Sequence, residues 1–347
     1  MCEPIQYDRI SEMFLKRYQE YIVSKLKKPP QSAEIQYFQQ LVNTNAVARD
    51  ILNNSQRLCH IYDNPEWQSK VLDTLDLDLI YNNVDKMQQR HEDEYSDNLV
   101  KELLRYFKRD FFTWCNKPKC SSCNEDSHQE MIGMDQPNSE EQQYQCGNVE
   151  LYKCQQCSVV TRFPRYNDPT KLLETRTGRC GEWCNLFTLI LKSFGLEARY
   201  VINFEDHVWN EYYSPFLKRW IHLDSCEQAF DEPHIYSINW NKKMSYCIAY
   251  GKYDVVDVSK KYIVQNELPR DKIGDNDLSL LCRVLTKQLR KNLSDLELYK
   301  IFTMDEQDYL NSEKLKKTKE DGESSENKGR QSGSTEWTTS RGENGSK

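Results

Sequence analysis

Two pairs of cysteines, Cys120-Ser-Ser-Cys123 and Cys154-Gln-Gln-Cys157, restrict what this chain can fold into more than any other feature. Each has the C-x-x-C spacing of a knuckle that turns two thiolates toward one tetrahedral metal, and 30 residues lie between the pairs. The reading is a structural four-cysteine zinc site that staples a subdomain over residues 115–165; redox pairs or unrelated thiols are the alternative. Four thiolates fill the coordination shell of zinc and leave no position for water or substrate, so the ion should hold structure rather than react. Cys115, Cys146 and His128 lie nearby but lack the paired spacing. Asp126 to Gly147 is expected as a polar, mobile loop. Val149–Tyr152 and Val159–Phe163 are expected as a hairpin around the second knuckle.

Thirteen cysteines could also mean a disulfide scaffold, but the number is odd, the chain runs to 347 residues, and its first residues lack the charged and apolar regions of a signal peptide. Reduced or metal-bound thiols in an intracellular setting fit better. The sequons at Asn53, Asn292 and Asn344 are then not expected to carry sugar. No apolar run approaches a membrane span. The net charge of −7 weighs against a broad nucleic-acid-binding surface. Hydrophobic residues make up only 38% of the chain, which implies that part of it is unfolded. From about Asn311 the sequence turns to Lys, Glu, Ser and Gly, and 311–347 reads as a disordered tail with Trp337 as an isolated exception.

Chemistry points to the stretch from Thr175 to Leu191. Gly178 and Gly181 bracket Cys180, and Leu186, Phe187, Ile190 and Leu191 recur at the spacing of one buried helical face. Cys180 therefore opens a helix, where unpaired N–H groups and the positive end of the macrodipole favour a nucleophilic thiolate. Downstream, Ala198–Asn203, His207–Tyr213 and Lys218–Asp224 read as strands, the last two joined by Ser214-Pro-Phe-Leu217. Taking Tyr213 and Lys218 as the first rung sets His207 directly opposite Asp224, close enough for the carboxylate to fix the imidazole's orientation. Cysteine, histidine and aspartate together make a nucleophile, a base and an orienter.

The segments Gly178-Arg-Cys-Gly-Glu-Trp183, Asp206-His-Val-Trp209 and His222-Leu-Asp-Ser-Cys-Glu227, with the two knuckles, resemble the cytoplasmic peptide:N-glycanases, in the transglutaminase-like branch of papain-type cysteine enzymes. The likeness covers most of Ile10 to about Tyr299 and is greatest to the short yeast form. It implies an α+β transglutaminase-like core with a zinc-binding subdomain and flanking helices. It further implies Cys180 as nucleophile, His207 as base and acid, Asp224 as orienter, and Cys120, Cys123, Cys154 and Cys157 as ligands of one Zn2+. Glu227 is similar in position to the family's glycan-contacting glutamate. The implied activity is hydrolysis of the glycan–asparagine amide of misfolded N-glycoproteins and glycopeptides, leaving aspartate, in the cytoplasm and also the nucleus, in support of ER-associated degradation. A protease or transglutaminase and a non-catalytic binding module are the rival classes. Trp114 is a candidate side-chain donor to an oxyanion, beside backbone N–H groups at the start of the Cys180 helix. Trp209 and Trp220 could offer flat faces to sugar or peptide, or simply pack beside the hairpin.

The remaining segments frame this core. Residues 1–30 carry a helix whose Met13, Phe14, Tyr18, Tyr21 and Ile22 either pack on the core or dock another protein; the resemblance implies a ubiquitin-binding proteasome shuttle protein there. Residues 31–114 are expected to be helical. The catalytic core spans 166–310, with strands over Ile235–Val264 and two helices over Asp277–Phe302.

Overall fold

A computed structural model of the protein describes the backbone of residues 7–319 and 329–345 and the side chains of 7–312 and 329–345. Its first third is a helical layer: α1 (Tyr7–Leu26), α2 (Ser32–Thr44), α3 (Ala46–Ile61), α4 (Pro65–Thr74), α5 (Leu77–Val84) and α6 (Glu94–Tyr106). Helix α1 ends just before Pro29-Pro30, which cannot continue it. The stretch Val71–Ile80 is two helices rather than one, because the Asp76 side chain accepts from the N–H of Leu79 and starts a new helix. After α6 a π-helical turn, Phe107–Phe111, brings the chain to β1 (Thr113–Trp114).

The metal-knuckle region is a three-stranded antiparallel sheet of β2 (Gln129–Asp135), β3 (Cys146–Cys154) and β4 (Val160–Tyr166), with the short helix α7 (Ser139–Gln143) between β2 and β3. The polar loop expected over Asp126–Gly147 is thus largely a strand and a helix. Met131, Ile132 and Met134 of β2 are exposed, so no buried alternation marked it as a strand; its pairing with β3 is carried by the backbone. Asn138 and Glu141 form a reciprocal cap on α7.

Next come α8 (Pro169–Thr175), β5 (Thr177–Gly178) and α9 (Cys180–Ser193), followed by a six-stranded antiparallel sheet. In the order β11-β10-β6-β7-β8-β9, it uses β6 (Ala198–Asn203), β7 (His207–Ser214), β8 (Arg219–Asp224), β9 (Ala229–Phe230), β10 (Cys247–Gly251) and β11 (Val255–Asp257). Ile235–Val264 is therefore only partly strand: it also holds a π-helical turn at Ile235–Asn239 and α10 (Ser259–Tyr262). Helix α9 buries Leu186, Phe187, Leu189, Ile190 and Leu191 and packs on β6 and β7. Such burial contributes roughly 1.5–3 kcal/mol per large side chain, which holds the N-terminus of α9 in place over the sheet. The core is closed by α11 (Asp275–Leu289) and α12 (Asp295–Lys319).

The tail departs from expectation. Residues 311–319 continue α12, residues 320–328 lie outside the described part, and 329–345 fold back on the protein through α13 (Thr335–Ser340). Composition missed this because the segment is held by ion pairs and by guanidinium groups over Trp337, not by an apolar face.

Candidate active site

Cys180 is the first residue of α9, and a parallel bridge of β1 with β5 sets its approach: Trp114 pairs with Gly178, and the N–H of Cys115 donates to the Gly178 carbonyl at 2.9 Å. Gly178 is required by proximity, since a Cβ there would lie 2.4 Å from Cβ of Glu182. Glu182 in turn accepts from the N–H of Arg179 at 2.9 Å and so caps the start of the helix.

A charge cluster of two buried glutamates and two half-buried arginines ties this helix start to the knuckle sheet. Arg165 of β4 donates to both oxygens of Glu182, at 2.6 and 2.8 Å, and to Glu150 of β3 at 2.9 Å. Arg179 donates to both oxygens of Glu150, at 2.9 and 2.7 Å. Burial works to raise the Glu150 carboxyl, but the bonds from Arg179 and Tyr152 outweigh it and hold the group below its usual range. Sequence reasoning missed this cluster. Its local trace was an arginine directly before Cys180, and nothing in the sequence said which carboxylate it meets.

His207 and Asp224 meet, though not through the expected rung. The hairpin pairs Tyr213 with Trp220 and Ser214 with Arg219, two residues away from the expected register. The first rung falls one residue later on both strands, Ser214 with Arg219, because Lys218 takes a positive φ of 52° inside the turn, and the two single steps add to a shift of two. A shift of two preserves the face on which every side chain lies, so His207 Nε2 still reaches Asp224 Oδ2 at 3.0 Å. His207 Nδ1 has no hydrogen-bond partner among the described residues, so it is the ring nitrogen with a free lone pair when Nε2 carries the proton shared with Asp224.

Asp224 is held from four directions. Its Oδ1 accepts from the N–H groups of Cys226 and Glu227 at 2.9 and 3.3 Å, and its Oδ2 also accepts from the Tyr236 hydroxyl at 2.9 Å. That hydroxyl lies 2.7 Å from His222 Nε2, so with the phenol proton given to Asp224, His222 must be the donor to it. Burial lowers His222 to about 3, which keeps its imidazole neutral.

Burial also pushes the Cys180 thiol up, against the pull of Arg330 and Arg341, and pushes His207 well down, with Arg330 acting in the same direction. In this conformation the favoured pair is thiol and neutral imidazole, not the thiolate expected from a helix N-terminus alone. The reason is desolvation, which opposes both charged forms together.

The expected contacts of Trp209 and Trp220 with a ligand are corrected in favour of packing beside the hairpin. Trp209 is 1% exposed, with Tyr236 and Tyr262 at 4.4 and 4.6 Å between ring centroids, so it packs behind His207 and offers no face to a ligand. Trp220 is buried too, with the Arg199 guanidinium 3.7 Å over its ring. Trp114 is half-buried and its indole N–H already donates to Asn116 Oδ1 at 3.0 Å. The Glu227 carboxylate accepts from the N–H groups of Gln331 and Ser332 at 2.9 and 3.0 Å.

The four knuckle thiols converge. Sγ atoms of Cys120, Cys123, Cys154 and Cys157 all lie within 4.8 Å of one another. Cys123 and Cys154 are 3.8 Å apart, close to the roughly 3.8 Å between sulfurs of a tetrahedral site with about 2.3 Å zinc–sulfur bonds. The set fits a metal ion. Cys115 instead packs with Tyr152 and Phe163, and Cys146 donates to the Asn148 carbonyl at 3.1 Å.

The chain is similar to known proteins over most of its length. Residues 129–225 match the model of the transglutaminase-like superfamily, and residues 203–306 match that of the Rad4 transglutaminase-like domain. The chain is 58% identical, over an alignment 354 positions long, to the peptide-N(4)-(N-acetyl-beta-glucosaminyl)asparagine amidase of Saccharomyces cerevisiae, covering 98% of this chain and 97% of that one. The Candida glabrata protein of the same name is 57% identical, over 99% and 100% of the two chains. Among solved structures, a Rad4–Rad23 complex crosslinked to undamaged DNA aligns with a TM-score of 0.46 at 14% identity, over 82% of this chain and 61% of that one.

Proposed function

This chain belongs to the family of peptide-N(4)-(N-acetyl-beta-glucosaminyl)asparagine amidases, and from that premise we propose that Cys180, His207 and Asp224 hydrolyse the amide joining an N-glycan to asparagine. The observation that carries the assignment of roles is the His207–Asp224 hydrogen bond, which leaves Nδ1 as the base. Nδ1 takes the Sγ proton as sulfur attacks the side-chain amide carbon. The same proton then goes to the departing nitrogen, the C–N bond breaks, and the glycan leaves as a glycosylamine. Water, deprotonated by His207, cleaves the thioester and leaves aspartate. The N–H groups opening α9 are the proposed oxyanion donors, and Glu227 is proposed to meet the sugar.

The test is a glycopeptide assay with mass readout in water enriched in heavy oxygen. The expected product has an intact main chain and one Asn converted to Asp bearing solvent oxygen. A cut main chain would assign a protease, and an isopeptide crosslink a transglutaminase.

Zinc is the ion proposed for the four thiols, where it would supply structure alone, and thiols that hold a metal need a reducing compartment. We accordingly propose the cytosol, with the nucleus as a second site, where misfolded N-glycoproteins arrive after export.

A ubiquitin-binding proteasome shuttle protein is the proposed partner of α1. The support is an exposed face in which Met13 is 60%, Phe14 68% and Tyr21 56% accessible, while only Val23 of the helix is buried. Phe14→Glu combined with Tyr18→Glu should weaken shuttle binding well over tenfold, since two anchors at about 2 kcal/mol each exceed the 1.4 kcal/mol of one decade. Calorimetry checks this. Glycopeptide cleavage should barely change, and undiminished binding by the folded double variant would move the docking face elsewhere.

A further inference from the structure

Residues 329–345 lie against the groups that surround His207. Glu227 grips two successive main-chain N–H groups, and Asn116 Oδ1 accepts a third from Ser334 at 2.9 Å. The Arg330 guanidinium stands 5.2 Å from the Trp114 ring and 4.9 Å from Trp240, whose own ring is 5.1 Å from the His207 imidazole. Glu343 pairs with Arg330 at 2.7 Å and with Lys242 at 2.6 Å, and all three side chains are at most 5% exposed. Arg341 donates to the backbone carbonyl and the carboxylate of Asp206, the residue before His207.

We infer that this segment is an intramolecular ligand of the substrate cleft, and that a glycopeptide reaches Cys180 only when the segment leaves. The cleft around Trp114, Asn116, Asp206 and Glu227 reads it as it would read a peptide, by main-chain N–H groups and by one cation set between indole rings. Its hold is polar. Apart from the half-buried Trp337 it has no large apolar side chain, and ion pairs taken out of water fix geometry more than they add stability. Such a clamp is suited to release. The amidase reading enters only as the identity of the arriving substrate.

Gly333→Val tests the idea without touching the cleft walls. Gly333 has φ +100°, and a Cβ there would lie 2.6 Å from the Trp337 ring, so the substitution should dislodge the segment. The readout is the rate at which iodoacetamide labels Cys180, followed by peptide mapping. If the parent is closed about nine-tenths of the time, labelling and kcat/KM on a glycopeptide should both rise about tenfold. Arg330→Ala should act in the same direction. Parent-like labelling of both folded variants overturns the inference. Faster labelling with no glycan release at all would keep it and remove the amidase reading instead. A readout in the unaltered chain does not depend on how the variants fold: a bulky iodoacetamide on Cys180 should speed amide hydrogen exchange at Gln331 and Ser332. Unchanged exchange there also overturns the inference.

Discussion

Cys180→Ala should abolish glycan release, lowering kcat by roughly five to six orders of magnitude, because a nucleophile and its base act as one unit and losing either removes nearly the whole effect. His207→Ala should cost about as much. Asp224→Ala should cost somewhat less, since it removes the carboxylate hydrogen-bonded to His207 and leaves the proposed nucleophile and base present. The measurement is single-turnover release from a glycopeptide, with far-UV circular dichroism to show that each variant is folded. The Cys180→Ala variant loses only one sulfur at a helix start whose core face is otherwise intact, so its melting temperature should stay near the parent's. Parental activity in that variant would end the mechanism.

The second large effect belongs to the knuckles. Cys154→Ser should lose the metal and unfold the three-stranded sheet. Structural zinc contributes about 10–16 kcal/mol in small zinc domains, as much as the roughly 5–15 kcal/mol that stabilises a whole domain. The loss should not stop at the sheet, because Cys154 ends the strand that carries Glu150, and Glu150 holds both Arg165 and Arg179 beside the start of α9. Removing one side of a buried ion pair costs about 3–5 kcal/mol. Metal analysis of the purified protein, a melting curve and a rate measurement should therefore fall together. Cys120→Ser should repeat the pattern. A variant that has lost its metal yet keeps its melting temperature would show that the four thiols are not a staple.

What could be read in advance followed from periodicity and covalent spacing. Strand β6 has the bounds expected for it, Ala198–Asn203, and the four thiols converge because C-x-x-C turns leave few other arrangements. The His207–Asp224 contact was legible for a more specific reason. The turn was misplaced, but the error was even, and a strand's period of two forgives even errors and punishes odd ones. What stayed hidden was long-range polar pairing. Nothing near Glu150 in the sequence names Arg179, and nothing in a stretch of Ser, Gly and Thr says that Arg330 will be buried between indoles. Trp209 and Trp220 were ambiguous because an aromatic side chain suits a core and a sugar face equally well until its neighbours are known.

Because the segment that covers the cleft is part of the same chain as α12, its occupancy does not depend on how much protein is present. A separate inhibitor falls off on dilution. A tethered one faces its site at an effective concentration on the order of millimolar, whatever the volume of the cell or the tube. If the segment occupies the cleft nine times in ten, every substrate binds with about one-tenth of its intrinsic affinity, by the same factor for all of them. The cover would then raise the threshold for entry without changing which glycopeptides are preferred, favouring those abundant enough, or bound tightly enough at a second point, to meet it.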